Sequence, residues 1–197
     1  MPFLEVLTRV YKRPQMLAVN MESLRAQTDD DWVQTYLVDN VGRGINWSHE
    51  NMAANAPNLT GDYVWVLDDD DACTCPTLVA DLKRIAAEHD PDVIMVKMDH
   101  GAAVLPNDST WGDTRITYGQ IGMSAYIVKR ALWQAHAGAL TPGWYGSDYS
   151  LINAILGNNP ALAMAPWLEQ PRVFWHDCIA SRVQRQSFGQ AETTDNG

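Results

Sequence analysis

One short stretch restricts the possible folds of this chain more than any other. The apolar run Val64-Trp65-Val66-Leu67 stops abruptly at four consecutive carboxylates, Asp68-Asp69-Asp70-Asp71. Its β-branched and aromatic residues, over so short a length, read as a buried strand spanning 62–67. The acids cannot follow it into the interior. Adjacent carboxylates repel, and burying them without a counter-charge is costly. The strand must therefore end at an edge where the aspartates find a compensating partner.

The surrounding pattern tells what kind of edge. Strand-like segments at 3–7, 35–38, 62–67 and 93–96 alternate with helix-like ones. The helices start at Pro14, where proline suits a first helical position, near Trp47, and at Pro76. Leu17, Met21 and Leu24 share one helical face, as do Leu78, Val79, Leu82 and Ile85. This alternation predicts an α/β fold with a mainly parallel central sheet and helices on both faces. Beyond Met98 the pattern loosens. Residues 99–115 read as a long loop, 124–128 as a strand, 129–135 as a helix, 142–146 as a loop, 148–156 as a helix and 173–175 as a last strand. A single domain is expected over 1–188, with halves at 1–100 and 101–188, and a polar, disordered tail at 189–197.

Composition narrows the class. Of 197 residues, 46% are hydrophobic and 19% charged, which fits a globular chain. No apolar run is long enough to cross a membrane, and the first residues do not resemble a secretory leader, so a cytoplasmic protein is expected. The three cysteines include Cys73 and Cys75 in a C-x-C arrangement, which lacks the usual zinc spacing; all three are expected to be structural or incidental thiols. A formal charge of -10 argues against nucleic acid and anionic membranes as partners. The one basic cluster near the start, Arg9, Lys12 and Arg13, suits a phosphate or equally a solvated turn.

In parallel α/β sheets, ligands bind at the carboxyl ends of the strands. Asp39 ends the second strand and Asp68–Asp71 end the third, so at least five acids can converge on one edge. A hard cation, Mg2+ or Mn2+, offsets such a cluster, and it typically keeps phosphate oxygens in its shell. The acids thus point to a metal-bound diphosphate. Neither a P-loop nor a dinucleotide fingerprint is present to hold phosphate in another way. The plainer reading is a solvated acidic turn, or aspartates capping the helix at Pro76.

With these residues in view, the chain resembles the family 2 glycosyltransferases. Gly61 to Asp71 is similar to their strand ending in Leu-Asp-x-Asp-Asp. Tyr11-Lys12-Arg13-Pro14 resembles their opening motif, Ser23 to Thr28 the end of their first helix, and Leu37-Val38-Asp39-Asn40 their second strand end. Asn51 followed by Gly61-Asp62-Tyr63 is similar to a further motif. The likeness covers about residues 3–75 well and the rest loosely. It implies the GT-A (Rossmann-like) fold and a nucleotide-sugar donor, usually a UDP-sugar. It also implies that Asp39 bonds the base, that Tyr11, Arg13 and Asn51 belong to the donor site, that Asp68 or Asp69 reaches the ribose or the metal shell, and that Asp70 coordinates Mn2+ or Mg2+.

The second half would supply the acceptor site. Gly143 to Tyr149 resembles the family segment whose aspartate is the general base, which nominates Asp148; here Ser147 replaces the usual Glu. Asp148 could instead cap its helix. His176, after an apolar strand, is a candidate metal ligand by the same likeness, against a structural role. Trp111 and Trp144 lie in loops expected to overhang the site, where a flat ring suits a sugar. Acceptors in view are a glycan, a protein or a small molecule, and a homodimer could complete the site. Two rivals stand: a non-catalytic nucleotide-sugar or glycan binder, and a haloacid-dehalogenase-like phosphatase.

Overall fold

The computed structural model describes residues 1–140, 145–158 and 171–182. The expected loop at 142–146 falls partly outside these residues, as does Trp144; the tail at 189–197 lies wholly outside them.

The chain opens with β1 (Leu4–Val10), α1 (Pro14–Arg25), β2 (Trp32–Val38), α2 (Gly44–Asn55) and β3 (Tyr63–Val66). β4 (Asp71–Cys73) and α3 (Leu78–His89) follow, then β5 (Val93–Asp99) and the two-residue β6 (Val104–Leu105). The second half holds β7 (Tyr126–Lys129), α4 (Arg130–His136), α5 (Ser147–Ile155) and β8 (Val173–Arg182). One sheet runs in the order β2-β1-β3-β7-β5-β8-β4, with β6 beside β5.

The α/β fold is the expected one. β1, β2, β3, β5 and β8 all point the same way, while β4, β6 and β7 oppose them. β3 lies between β1 and β7, and every residue of it is buried, which explains its unbroken apolar sequence. Glu5 is buried in β1 because it has work for both carboxylate oxygens. Oε1 accepts the Thr35 hydroxyl at 2.8 Å, and Oε2 accepts the N–H groups of Thr60 at 2.6 Å and Gly61 at 3.0 Å. A Cβ on Gly61 would lie 2.7 Å from that of Glu5, so only glycine lets this loop close on β1.

Several expectations change. The buried face of α1 is Met16, Asn20 and Leu24, one residue away from the expected Leu17 and Met21, because Asn20 is needed inside. α3 begins at Leu78, not Pro76, while keeping Leu78, Val79, Leu82 and Ile85 buried as expected. β8 is ten residues long rather than three, and β4 was not foreseen. Both depend on one another: β4 is a strand only because Ala72 and Cys73 pair with Ser181 and Ala180. Such pairing carries no local hydrophobic period.

Candidate functional site

β1 and β3 are parallel neighbours, so their carboxyl ends open at the same edge. There the four aspartates meet two arginines, Arg9 near the end of β1 and Arg13 at the start of α1. Asp68 accepts both Nε of Arg9, at 2.6 Å, and Nη2 of the same guanidinium. Arg13 reaches Asp69 at 2.5 Å and also Asp70. Asp69 is fully buried and accepts the Tyr11 N–H at 2.9 Å. Asp71 begins β4, and its carboxylate accepts the Ser124 hydroxyl at 2.7 Å.

Asn20 holds this acidic turn in shape. Its side-chain amide donates to the carbonyls of Asp68 at 2.9 Å and Asp71 at 3.0 Å. Its own oxygen accepts from Gln34 at 2.7 Å. The compensation inferred from sequence therefore needs correcting. Arginines, not a cation alone, offset the aspartates.

Acid still exceeds base here. Carboxylate oxygens of Asp68, Asp70 and Asp71 lie within 4.8 Å of one another, an all-oxygen set that fits Mg2+ or Mn2+.

Two adjoining hollows share Arg9, Ile45 and Asp68. The first takes in Tyr11, Arg13, Asp39, Gly42 and Trp47. Asp39 is fixed by N–H groups from Val41 at 3.0 Å, Gly42 at 2.8 Å and Arg43. Burial works against its charge, but these donors hold its carboxyl below the ordinary range. Gly42 has φ of +84°, and a Cβ there would overlap the Tyr11 hydroxyl. Arg43 stacks on Trp47 with its guanidinium 4.6 Å from the ring centre.

The second hollow is lined by His49, Asp68, Asp71, His100, Ser124, Tyr145 and Asp148, among others. Asp148 lies in the first turn of α5, where its carboxylate accepts the Tyr149 N–H at 2.7 Å. Burial pushes its carboxyl above the ordinary value, while that hydrogen bond and Arg9 pull the other way. Burial, assisted by Arg9, pulls His49 down to about 4, so its imidazole is neutral near pH 7.

The structure thus gathers Tyr11, Arg13, Asp39, Asp68 and Asp148 around one cleft, with Asp69 and Asp70 tied to its edge. It separates two nominated residues from that group. Asn51 lies on α2 and accepts from Asn55 at 2.9 and 3.0 Å. His176 lies on β8 beside Cys75 and Cys178, with Nε2 3.9 Å from Asp81. Trp111 packs edge-on against Trp175 at 4.7 Å between centroids, rather than lining either hollow.

Sequence reading missed Asn20, His49, His100, Ser124 and Trp47. For His49 a signal existed. It shares a helical face with Met52, Ala53 and Ala56, and a lone polar group on such a face invites a question. His100 follows β5, and Ser124, expected to open a strand, lies in a short 3-10 turn at Met123–Ala125 before β7; neither offered a signal.

No protein-family model matches the chain, and no curated protein sequence does. Solved structures do. S. aureus TarS 1–349 matches with a TM-score of 0.65 and 12% identity over 93% of this chain and 60% of its own. TarS 1–349 in complex with UDP-GlcNAc gives 0.62 and 15%, over 94% and 59% of the two chains. The mannosyltransferase PcManGT from Pyrobaculum calidifontis, in complex with GDP-Man and Mn2+, gives 0.57 and 13%, over 90% and 56%. The present chain therefore spans about 60% of the TarS 1–349 structures it matches and 37% of the longer TarS structure. At such identities the likeness is one of fold, and it is the GT-A arrangement expected from the sequence.

Proposed function

We propose that the chain is a metal-dependent glycosyltransferase that moves a sugar from a nucleoside-diphosphate donor, a UDP-sugar by the family likeness, to an acceptor hydroxyl with inversion. One observation carries this reading. The two hollows meet at Arg9, Ile45 and Asp68, with Asp39 and Trp47 lining one and Asp71 and Asp148 the other. A nucleoside fits the first hollow, a diphosphate the junction and a sugar the second hollow. Three structures of the same fold hold UDP, UDP-GlcNAc, and GDP-Man with Mn2+.

Each residue then has a physical task. Asp39, already fixed by three N–H donors, presents its remaining acceptor capacity to an N–H of the base. Tyr11 and Trp47 flank the same hollow with aromatic surface. Asp68, oriented by Arg9, together with Asp70 and Asp71, would hold Mn2+ or Mg2+. That ion would supply Lewis-acid charge to the departing diphosphate. Asp148 takes the proton of the acceptor hydroxyl. The freed oxygen bonds to the anomeric carbon as the bond to the diphosphate breaks on the opposite side, and the electron pair leaves with the diphosphate. Burial suits Asp148 to this, because a base with a raised pKa holds its proton more strongly. The acceptor, a glycan, a protein or a small molecule, would enter beside the exposed Tyr145.

A haloacid-dehalogenase-like reading gains nothing here. Its nucleophile, here Asp68, would come after the chain's first strand, whereas Asp68 follows β3, after two strand-helix units. The deciding experiment is calorimetric titration of UDP, GDP and CDP with and without Mn2+, followed by a transfer assay. Binding of one nucleotide only with metal is expected. Metal-dependent binding without turnover on any acceptor would replace transferase with binding module, and no binding in either condition would sink both.

A further inference from the structure

The residues that leave the cleft form a cluster of their own. Donor atoms of Cys75, His176 and Cys178 all lie within 4.8 Å of one another. The thiol of Cys73 stands next to them, within hydrogen-bonding reach of the Cys178 thiol. The arrangement follows from strand geometry. β8 is irregular between Trp175 and Ile179, where its register against β5 shifts, and that stretch carries both His176 and Cys178. β4 pairs antiparallel with β8, setting Cys73 opposite Ala180, and continuing that register brings Cys75 towards Cys178. The C-x-C spacing that looks wrong for zinc by itself is completed by β8, with Cys73 at the end of β4 and Cys75 just beyond it.

We propose that Cys75, His176 and Cys178 bind a structural Zn2+, with Cys73 the donor nearest the fourth position. Thiolate and imidazole are the donors such an ion takes. Tetrahedral zinc bonds of about 2.0–2.3 Å put donors roughly 3.3–3.8 Å apart, so closing from the present spacing needs only side-chain adjustment. His176 supplies a second, independent observation. Its Nε2 is buried and has no hydrogen-bond partner among the described residues. Lone buried imidazole nitrogens are costly, and a metal bond removes that cost.

The proposal is independent of the glycosyltransferase reading. It concerns soft donors, whereas the cleft presents oxygen. Its consequence reaches the cleft all the same. β4 starts at Asp71, so an ion joining Cys75 to β8 would anchor the acidic turn from its far side.

The test is metal content of the full chain, purified under reducing conditions without chelator, by plasma mass spectrometry. One zinc per chain is expected, retained in Asp70→Ala and lost in Cys178→Ser. Cobalt substitution should give thiolate-to-metal absorption in the near ultraviolet and the visible bands of a tetrahedral ion. Should Cys178→Ser fail to fold, the cobalt spectrum of the unaltered chain still decides. Wild-type protein that takes up neither zinc nor cobalt, or whose zinc survives Cys178→Ser and disappears in Asp70→Ala, overturns the proposal. So does a cysteine disulfide in protein purified without reductant that leaves no thiolate absorption after reduction and cobalt addition.

Discussion

Arg9 and Asp68 lie 59 residues apart in sequence, yet meet as a two-pronged ion pair where β1 and β3 end side by side. Burial opposes the Arg9 charge, and Asp68 more than offsets it, holding the guanidinium firmly protonated. Arg9 is therefore the hub of both hollows. Replacing it strands a carboxylate in a largely enclosed site. Arg9→Gln is expected to lower unfolding free energy by about 2–4 kcal/mol in urea titrations. Adding Asp68→Asn should restore part of that loss, and strict additivity in the double variant would refute the coupling.

Asp70 is partly exposed, and its neutralisation is shared with Arg13. Asp70→Ala should leave the circular dichroism spectrum unchanged while weakening Mn2+-dependent UDP binding by at least the roughly 10–100-fold that losing even a supporting partner of a metal ligand costs. Calorimetry reads both at once. Undiminished binding would remove Asp70 from the metal site.

Asp148→Asn should keep donor affinity and reduce transfer by about 10²–10⁴. Because burial raises its carboxyl, the acid limb of the rate profile should lie above the ordinary carboxylate range and be absent in the variant. Wild-type turnover in Asp148→Asn would show that the base is another group.

Asn20 donates to the carbonyls at each end of the aspartate turn. Asn20→Leu leaves these buried acceptors unmet and should cost about 1–3 kcal/mol. Donor binding should weaken with it, although Asn20 lines neither hollow. A stable variant with unchanged nucleotide affinity would show that the turn keeps its shape unaided.

His49 gives a pH signature. Its folded pKa is depressed to about 4 from 6.5, so between those values the unfolded chain binds the extra proton. Stability should be full above pH 6.5 and fall as pH drops towards 4, by at most about 3 kcal/mol. His49→Gln should flatten urea midpoints across that window. An equal slope in the variant would assign the acid sensitivity elsewhere.

Local chemistry made much of this molecule legible in its sequence. The apolar runs of β1, β3 and β5 and the helical face of α3 are short-range patterns, and each marked its element. The abrupt change at Leu67–Asp68 located the edge where the cleft opens, because four adjacent charges need partners an apolar strand lacks; against expectation Asp69 and Asp71 are buried, on Arg13, the Tyr11 N–H and the Ser124 hydroxyl. Asp39 came from the end of the second strand, and Tyr11, Arg13 and Asp148 were implied by the family likeness; the fold brings all four to that edge. What the sequence could not decide are pairings between distant segments. Asn20 looks like a helix residue until α1 crosses the turn after β3. β4 exists only against β8. His176 reads as a partner for the aspartates until β8 turns it towards Cys75 and Cys178. These contacts depend on strand order and on which face of a strand meets which helix, and neighbouring residues along the chain do not encode that choice.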